Sequence, residues 1–245
     1  MATIKYVFLD DGGVINDNSR RAPQWERLVG EFFAPHLGGT NEQWAAANRT
    51  AISQTFQRFV ARLDAWQDGT SQYREELRFY DLDWLGIMCD AAGVQPPVSI
   101  DDQLALAREA MNWIMPRVRA DHPGATDAIV RLSASYRLYM ASGGASYELR
   151  MTLEPLDVVD RLTTLYGPDL VNFPKRSSGY YERIFHDAGV GPADCLVVDD
   201  TVEALSWARQ AGAQTALISR DKHDAQADYS AASLSELTED LLRLH

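Results

Sequence analysis

Tyr6-Val7-Phe8-Leu9-Asp10-Asp11-Gly12-Gly13-Val14-Ile15-Asn16-Asp17 is the stretch that decides the fold of this 245-residue chain. The apolar run from Ile4 to Leu9 is nearly continuous rather than alternating, as a strand buried on both faces of a parallel sheet should be. Asp10 then emerges at the carboxyl end of that strand, where open α/β sheets place their ligands. Gly12 and Gly13 let the backbone turn sharply and approach a ligand closely. A strand running into Asp-Asp-Gly-Gly is also an ordinary turn. The reading gains weight from a later stretch of the same design, Cys195-Leu196-Val197-Val198-Asp199-Asp200.

The chain is long enough for one large α/β domain or for a core domain with a sizeable insertion. Hydrophobic residues make up 46% of it, the range of a globular protein. A net charge of −12 disfavours nucleic acid and anionic membranes as partners, since both call for basic patches. A small anionic substrate stays compatible with that charge where a metal or a few local cations neutralise it. Cys89 and Cys195 are too few for a disulfide framework and read as buried thiols of a reducing cytosol. The start of the chain has no charged segment followed by an apolar one, and no apolar run approaches membrane-spanning length. The expectation is a cytoplasmic protein with neither nucleic acid nor membrane as partner. No feature of the sequence specifies an oligomeric state.

Four apolar runs read as strands: Ile4–Leu9, Arg137–Ala141, Cys195–Val198 and Gln214–Ile218, with Leu170–Phe173 as a weaker fifth. Helical patterns lie between and after them, at Ala125–Ser133, Tyr147–Leu153, Gly179–Ala188, Val202–Ala211 and Ser233–Leu244. Alternation of this kind predicts a Rossmann-like α/β fold, a parallel sheet wrapped by helices with right-handed crossovers. Residues 18–116 differ, being rich in Trp, Gln, Ala and Arg, with helical patterns at Trp44–Leu63, Gln72–Phe79 and Asp101–Met115. They read as an all-helical domain inserted into a core made of residues 1–17 and 117–245. Both connections of the insertion should return to the same end of the sheet.

The segments that follow the strands carry Asp10, Ser142-Gly143-Gly144, Lys175 and Asp199-Asp200. Parallel topology gathers strand ends that are far apart in sequence. Such a set suits phosphoryl transfer through an aspartyl-phosphate, with Asp10 as nucleophile. The paired carboxylates would hold Mg²⁺, which screens repulsion between an anionic nucleophile and an anionic substrate. Ser142 and the backbone N–H groups of Gly143 and Gly144 would hold phosphate oxygens, and Lys175 adds fixed positive charge. Each residue also has a plainer reading: Asp199-Asp200 as a turn, Ser142 as a helix cap, Lys175 as a solvated lysine. Arg20 and Arg21 read as surface cations, and the tryptophans and tyrosines of the insertion as packing. His36, His122, His186, His223 and His245 show no metal-ligand spacing.

At these residues the chain resembles the haloacid dehalogenase-like superfamily. Asp10-Asp11-Gly12-Gly13-Val14-Ile15-Asn16-Asp17 is similar to its first motif, in the variant reading Asp-x-Gly-Gly-Val. Leu138-Tyr139-Met140-Ala141-Ser142 resembles the second motif. Lys175-Arg176-Ser177-Ser178-Gly179-Tyr180-Tyr181 resembles the third without its usual prolines, and Leu196-Val197-Val198-Asp199-Asp200 the fourth. The helical insertion lies where members with a C1 cap carry their lid. The resemblance implies a hydrolase, most naturally a Mg²⁺-dependent phosphatase of a small phosphorylated metabolite, with the Gly12 carbonyl joining Asp10, Asp199 and Asp200 as metal ligands.

Two positions depart from the family pattern. Family phosphatases carry a second Asp, the general acid/base, where this chain has Gly12. Many members have Asp or Asn where this chain has Ala204, beside which Glu203 could compensate. Asp11 is a substitute acid only if it escapes the alternation that turns neighbouring residues to opposite sides. An alternative register takes Asp11 as the second Asp, which puts Leu9 at the nucleophile position and abolishes catalysis. Asp10 is favoured because it directly ends the apolar run. The departures keep two other functions open. One is hydrolytic 2-haloacid dehalogenation, whose enzymes work without metal and do not usually keep paired Asp residues at the fourth motif. The other is a binding protein on a catalytically degenerate scaffold.

Overall fold

The computed structural model describes residues 3–219, 221 and 224–243. The chain forms two compact units, one made of the residues up to Asn18 and from Ala120 onward, the other of Ser19–Arg119. The second unit is helical. It holds α1 (Asn18–Leu37, whose first residue belongs to the other unit), α2 (Asn41–Asp64), α3 (Tyr73–Ala92) and α4 (Ile100–Ile114). Thr40 and Gln43 form a capping box at the start of α2, and the Ser99 hydroxyl accepts from Asp102 N–H at the start of α4. Helices α1 and α2 meet closely at Gly30, where a Cβ would lie 2.4 Å from the Asn41 carbonyl oxygen. Phe33 stacks on Trp44 and meets Trp84 edge-on, both tryptophans fully buried. Trp84 donates its indole N–H to Asn48 Oδ1 at 3.0 Å, and Trp44 donates to the Gly38 carbonyl at 2.7 Å. These aromatics fill a core and satisfy their polar edges there. Periodicity located the later three helices to within a few residues, except that α3 runs well beyond Phe79; α1 carries Pro23 and Pro35, which mask its pattern.

The first unit contains β1 (Tyr6–Leu9), β2 (Arg137–Ala141), β3 (Leu162–Tyr166), β4 (Cys195–Asp199), β5 (Gln214–Ile218) and β6 (Tyr229–Ala231). They form one sheet in the order β3-β2-β1-β4-β5-β6, with every pairing parallel. Its helices are α5 (Ala125–Leu132), α6 (Ser146–Leu153), α7 (Pro168–Val171), α8 (Ser178–Ala188), α9 (Val202–Gln210) and α10 (Leu234–Leu242). Alternate strand residues feed two cores, one on each face of the sheet. Val7, Leu9, Leu138, Met140, Leu196 and Val198 pack with α5 and α10, while Phe8, Tyr139 and Val197 pack with α8 and α9. Phe8 stacks on Tyr139 with ring centroids 4.6 Å apart. This is the parallel, doubly covered sheet that the strand runs require.

The weak strand expected at Leu170–Phe173 is not a strand. Pro168 opens a short helix there, Leu170 is half-exposed, and Asn172 ends the turn in the left-handed region at φ 47°. The third strand is instead Leu162–Tyr166, where Thr163 and Thr164 interrupt the apolar run because this edge strand is covered less completely. Strand β6, three residues at the other edge, is too short to leave a pattern. The expected end of the last helix, Leu244, lies outside the described residues, as do His223 and His245.

Within the sheet, β1 lies between β2 and β4. The chain proceeds from β1 to β2 and β3 on one side, then crosses to β4 on the other. The crevice at the carboxyl ends of β1 and β4 is therefore the switch point at which such sheets bind ligands.

In the helical unit, Asp81 is buried on α3, and burial lifts its carboxyl to about 6 against the opposing pull of the Arg108 charge. A folded value above the unfolded one means that stability is fully present below about pH 4 and is lost as pH rises through about 6. Asp81→Asn should therefore raise Tm more at pH 7.5 than at pH 5.5. Equal shifts at the two pH values, read by thermal unfolding, would exclude an ionised buried Asp81.

Candidate active site

Strand register assembles the site. Leu9 pairs with Met140 on one side and Val198 on the other, so Asp10, Ala141 and Asp199 form the next row across three strands. Asp10 N–H continues the ladder to the Val198 carbonyl at 3.0 Å. Lys175, arriving from the segment between α7 and α8, lays its ammonium along this row. It donates to Asp10 Oδ1 at 2.9 Å, to Asp199 Oδ2 at 2.7 Å and to the Ala141 carbonyl at 2.9 Å. Those three bonds use all its N–H groups. Its side chain is 9% exposed, against 12% for Asp10 and 1% for Asp199. Leu9, by contrast, is fully buried in the core, so the alternative register has no chemistry at its nucleophile position.

Burial raises the Asp10 carboxyl to about 6; the Lys175 charge pulls it down, and Asp199 pushes it further up. For Lys175, burial acts downward, but the facing carboxylates outweigh it and hold the ammonium well above its ordinary range. At neutral pH the nucleophile candidate is thus largely ionised and the lysine is charged.

Asp200 completes an acidic group with Asp10 and Asp199, one oxygen of each lying within 4.8 Å of the others. The Asp199 carboxylate is also held by Thr201 N–H at 2.8 Å, and Thr201 Oγ1 donates to Asp200 at 3.1 Å. Gly13 fixes the far side. Its φ is +82°, and a Cβ there would lie 2.4 Å from Asp200 Cγ, so glycine is required both by conformation and by space. Three carboxylates gather in a partly buried, all-oxygen setting. That donor set fits a hard divalent cation.

Ser142 is nearly buried at the end of β2, and among the described residues its hydroxyl makes no hydrogen bond. Space beside Gly143 is open: a Cβ there would meet nothing within 4 Å. The backbone of this loop is braced by Tyr180, whose buried hydroxyl lies 2.9 Å from the Ser142 carbonyl and 3.0 Å from the Tyr166 carbonyl. Further along, Asp169 accepts from both N–H and Oγ of Ser146, and Glu148 accepts from Ala145 N–H. The start of α6 is thereby satisfied within the protein. Tyr181 is fully buried, with its hydroxyl next to the Lys175 ammonium.

A family model described as haloacid dehalogenase-like hydrolase matches residues 4–212. The chain belongs to that family. In sequence, it is 31% identical over 103 residues to Enolase-phosphatase E1 of Pseudomonas fluorescens (strain Pf0-1), a match spanning 41% of this chain and 45% of that protein. The matched region is less than half the length of that curated relative. In structure, it resembles the defluorinating L-2-haloacid dehalogenase Rha0230 with a TM-score of 0.69 and 18% identity, covering 98% of this chain and 95% of that one. YfnB of Bacillus subtilis, in a crystal form bound to magnesium, matches with a TM-score of 0.66 and 16% identity, covering 98% and 99%. At such identities these likenesses concern the fold.

In this haloacid dehalogenase-like hydrolase, the strand ends bring Asp10, Lys175 and Asp199 into direct contact and Asp200 beside them. Asp11 is buried, and its carboxylate accepts from Asn16 Nδ2 at 2.6 Å, which makes it a brace for the loop. Ala204 is packed inside α9, and Glu203 is exposed and lies outside the acidic group. Sequence reasoning passed over Tyr180, Tyr181, Thr201 and Asp169. Only the aromatic doublet following Lys175 offered a signal.

Gly13→Ala should cost about 1–2 kcal/mol through its left-handed backbone and displace Asp200 as well. Thermal unfolding checks the first effect. A variant as stable as the parent would show that the loop can relax away from Asp200.

Proposed function

We propose that this chain is a Mg²⁺-dependent phosphatase of a small phosphorylated metabolite, acting through an aspartyl-phosphate on Asp10. The cluster of Asp10, Asp199 and Asp200 at the switch point carries the reading. Without a cation, carboxylates so gathered would repel an anionic substrate from the nucleophile. Dehalogenation of a haloacid needs no metal and would leave the paired carboxylates Asp199 and Asp200 without a use. The partial likeness to a phosphatase and the fold shared with a magnesium-bound relative are in keeping with it. The small anionic substrate and a cytoplasmic setting belong to this reading too; no helix among the described residues is long and apolar enough to cross a membrane.

Asp10, Asp199, Asp200 and the Gly12 carbonyl would hold Mg²⁺, which when bound neutralises charge between nucleophile and phosphoryl group. Lys175 holds one oxygen of Asp10 and fixes its rotamer, so that the carboxylate attacks phosphorus without rearranging. Ser142 and the backbone N–H groups of Gly143 and Gly144 bind phosphoryl oxygens and stabilise charge as it spreads over them. Water then attacks phosphorus, the bond to Asp10 breaks, and the carboxylate is restored.

Two measurements test the reading. Calorimetric titration should show Asp200→Asn weakening Mg²⁺ binding at least tenfold, and unchanged affinity would remove Asp200 from the site. A screen of phosphorylated metabolites and halo-acids, run with Mg²⁺ and with a chelator, should find phosphatase turnover that needs Mg²⁺ and disappears in Asp10→Asn. Aryl and acyl phosphates should turn over much faster than alkyl phosphates, because Gly12 supplies no acid. Halo-acid turnover in chelator, or retained activity in Asp10→Asn, would overturn the proposal.

A further inference from the structure

The loop after β1 brings one more polar group to the site. An ideal Cβ built on Gly12 would lie 2.9 Å from Asn18 Nδ2, 3.1 Å from its Oδ1 and 3.4 Å from its Cγ. The three nearest atoms all belong to one side-chain amide. That amide fills the space in which a side chain of residue 12 would begin. Gly12 does not have a left-handed backbone, unlike Gly13. A side chain at 12 would therefore displace the amide, the free end of an exposed side chain, without straining the backbone.

The backbone that carries the amide is fixed, and the amide itself is exposed. The Asp11 carbonyl accepts the N–H groups of Ile15 and Asn16, both at 2.9 Å, and Gly13 N–H reaches the Asn16 carbonyl at 2.7 Å. Asp17 N–H bonds the Ala120 carbonyl at 2.7 Å, and His122 N–H bonds the Ile15 carbonyl at 2.8 Å. The backbone leading to Asn18 is thus fixed by three hydrogen bonds within the loop and two to the segment 120–122. Asn18 itself is exposed, and among the described residues its amide has no hydrogen-bond partner.

We propose that the Asn18 amide donates a hydrogen bond to the leaving-group oxygen of the substrate, in the place where a carboxylic acid at residue 12 would act. The inference rests on the phosphatase reading above. As an Asp10 oxygen bonds to phosphorus, the bond from phosphorus to the leaving oxygen breaks and its electron pair stays on that oxygen. The amide N–H stabilises the growing charge without giving up its proton, and the departing oxyanion takes a proton from water. Hydrolysis of the aspartyl-phosphate then releases inorganic phosphate and regenerates Asp10. An amide in this position assists most when the leaving group is a poor one, because charge on the oxygen is then greatest.

The test is the dependence of kcat/KM on leaving-group pKa, measured with substituted aryl phosphates and one alkyl phosphate at saturating Mg²⁺. Asn18→Ala should steepen it, lowering the alkyl phosphate rate about 10-fold to 100-fold, the range of a hydrogen bond to a charged group, and the most activated aryl ester far less. Gly12→Ala, whose methyl displaces the amide, should steepen the line similarly. The double variant should be no steeper than either single one. A parallel fall across the series, as loss of a mere helix-start contact would give, overturns the role of Asn18. If the unmodified protein hydrolyses no phosphate ester, the phosphatase reading fails and this inference with it. If it does and the Asn18→Ala line keeps its slope, only the inference fails.

Discussion

One buried ammonium fixes the geometry of the site. Lys175 reaches the three residues that parallel register places side by side, Asp10 on β1, Ala141 on β2 and Asp199 on β4. Two carboxylates this close, mostly withdrawn from water, cannot both stay ionised without compensation. The lysine supplies it and ties the ends of three strands in one contact. Removing it would leave buried charges unpaired, a far larger loss than any surface ion pair could cause. Asp200, standing outside this contact, is what tips the cluster toward a cation. Position in the row thus separates two roles that the paired aspartates share in sequence, Asp199 facing the lysine and Asp200 facing the Gly13 turn.

The central strands and the chemistry at their ends were legible because burial on both faces leaves unbroken apolar runs. Ile4–Leu9, Cys195–Val198 and Gln214–Ile218 each fall within two residues of an observed strand. At the sheet edges that signal fails. Leu162–Tyr166 carries two threonines and pairs on one side, whereas Leu170–Phe173 is apolar enough to mislead but sits behind a proline that starts a turn of helix. Asp10, Ser142, Asp199 and Asp200 could be picked out because each follows a strand, whereas Lys175 was picked out behind an expected strand that is a turn of helix. Tyr180 could not, since its role depends on where helix α8 lies against the carbonyls of Ser142 and Tyr166. Asn18 was invisible for a similar reason. Its relation to Gly12 arises only when the loop closes, and no spacing rule encodes that closure.

The two glycines of the first motif read alike in sequence and differ in structure. Gly13 is constrained by a left-handed backbone and by the carboxylate pressed against it, while Gly12 meets only the movable end of the Asn18 side chain. A substitution at 13 therefore acts through the folded backbone, and one at 12 acts through whatever Asn18 does.

The carboxylates at the start of α6 bear on how the protein meets anions in general. A helix start with free N–H groups attracts any anion through its dipole, whether substrate, product or buffer. Here Asp169 and Glu148 already occupy the N–H groups of Ser146 and Ala145, so two donors at this helix start are already taken by carboxylates of the protein. A bystander anion gains little by approaching along the helix axis. Whatever docks at Ser142 must make its case through short-range contacts, and discrimination passes from long-range attraction to fit.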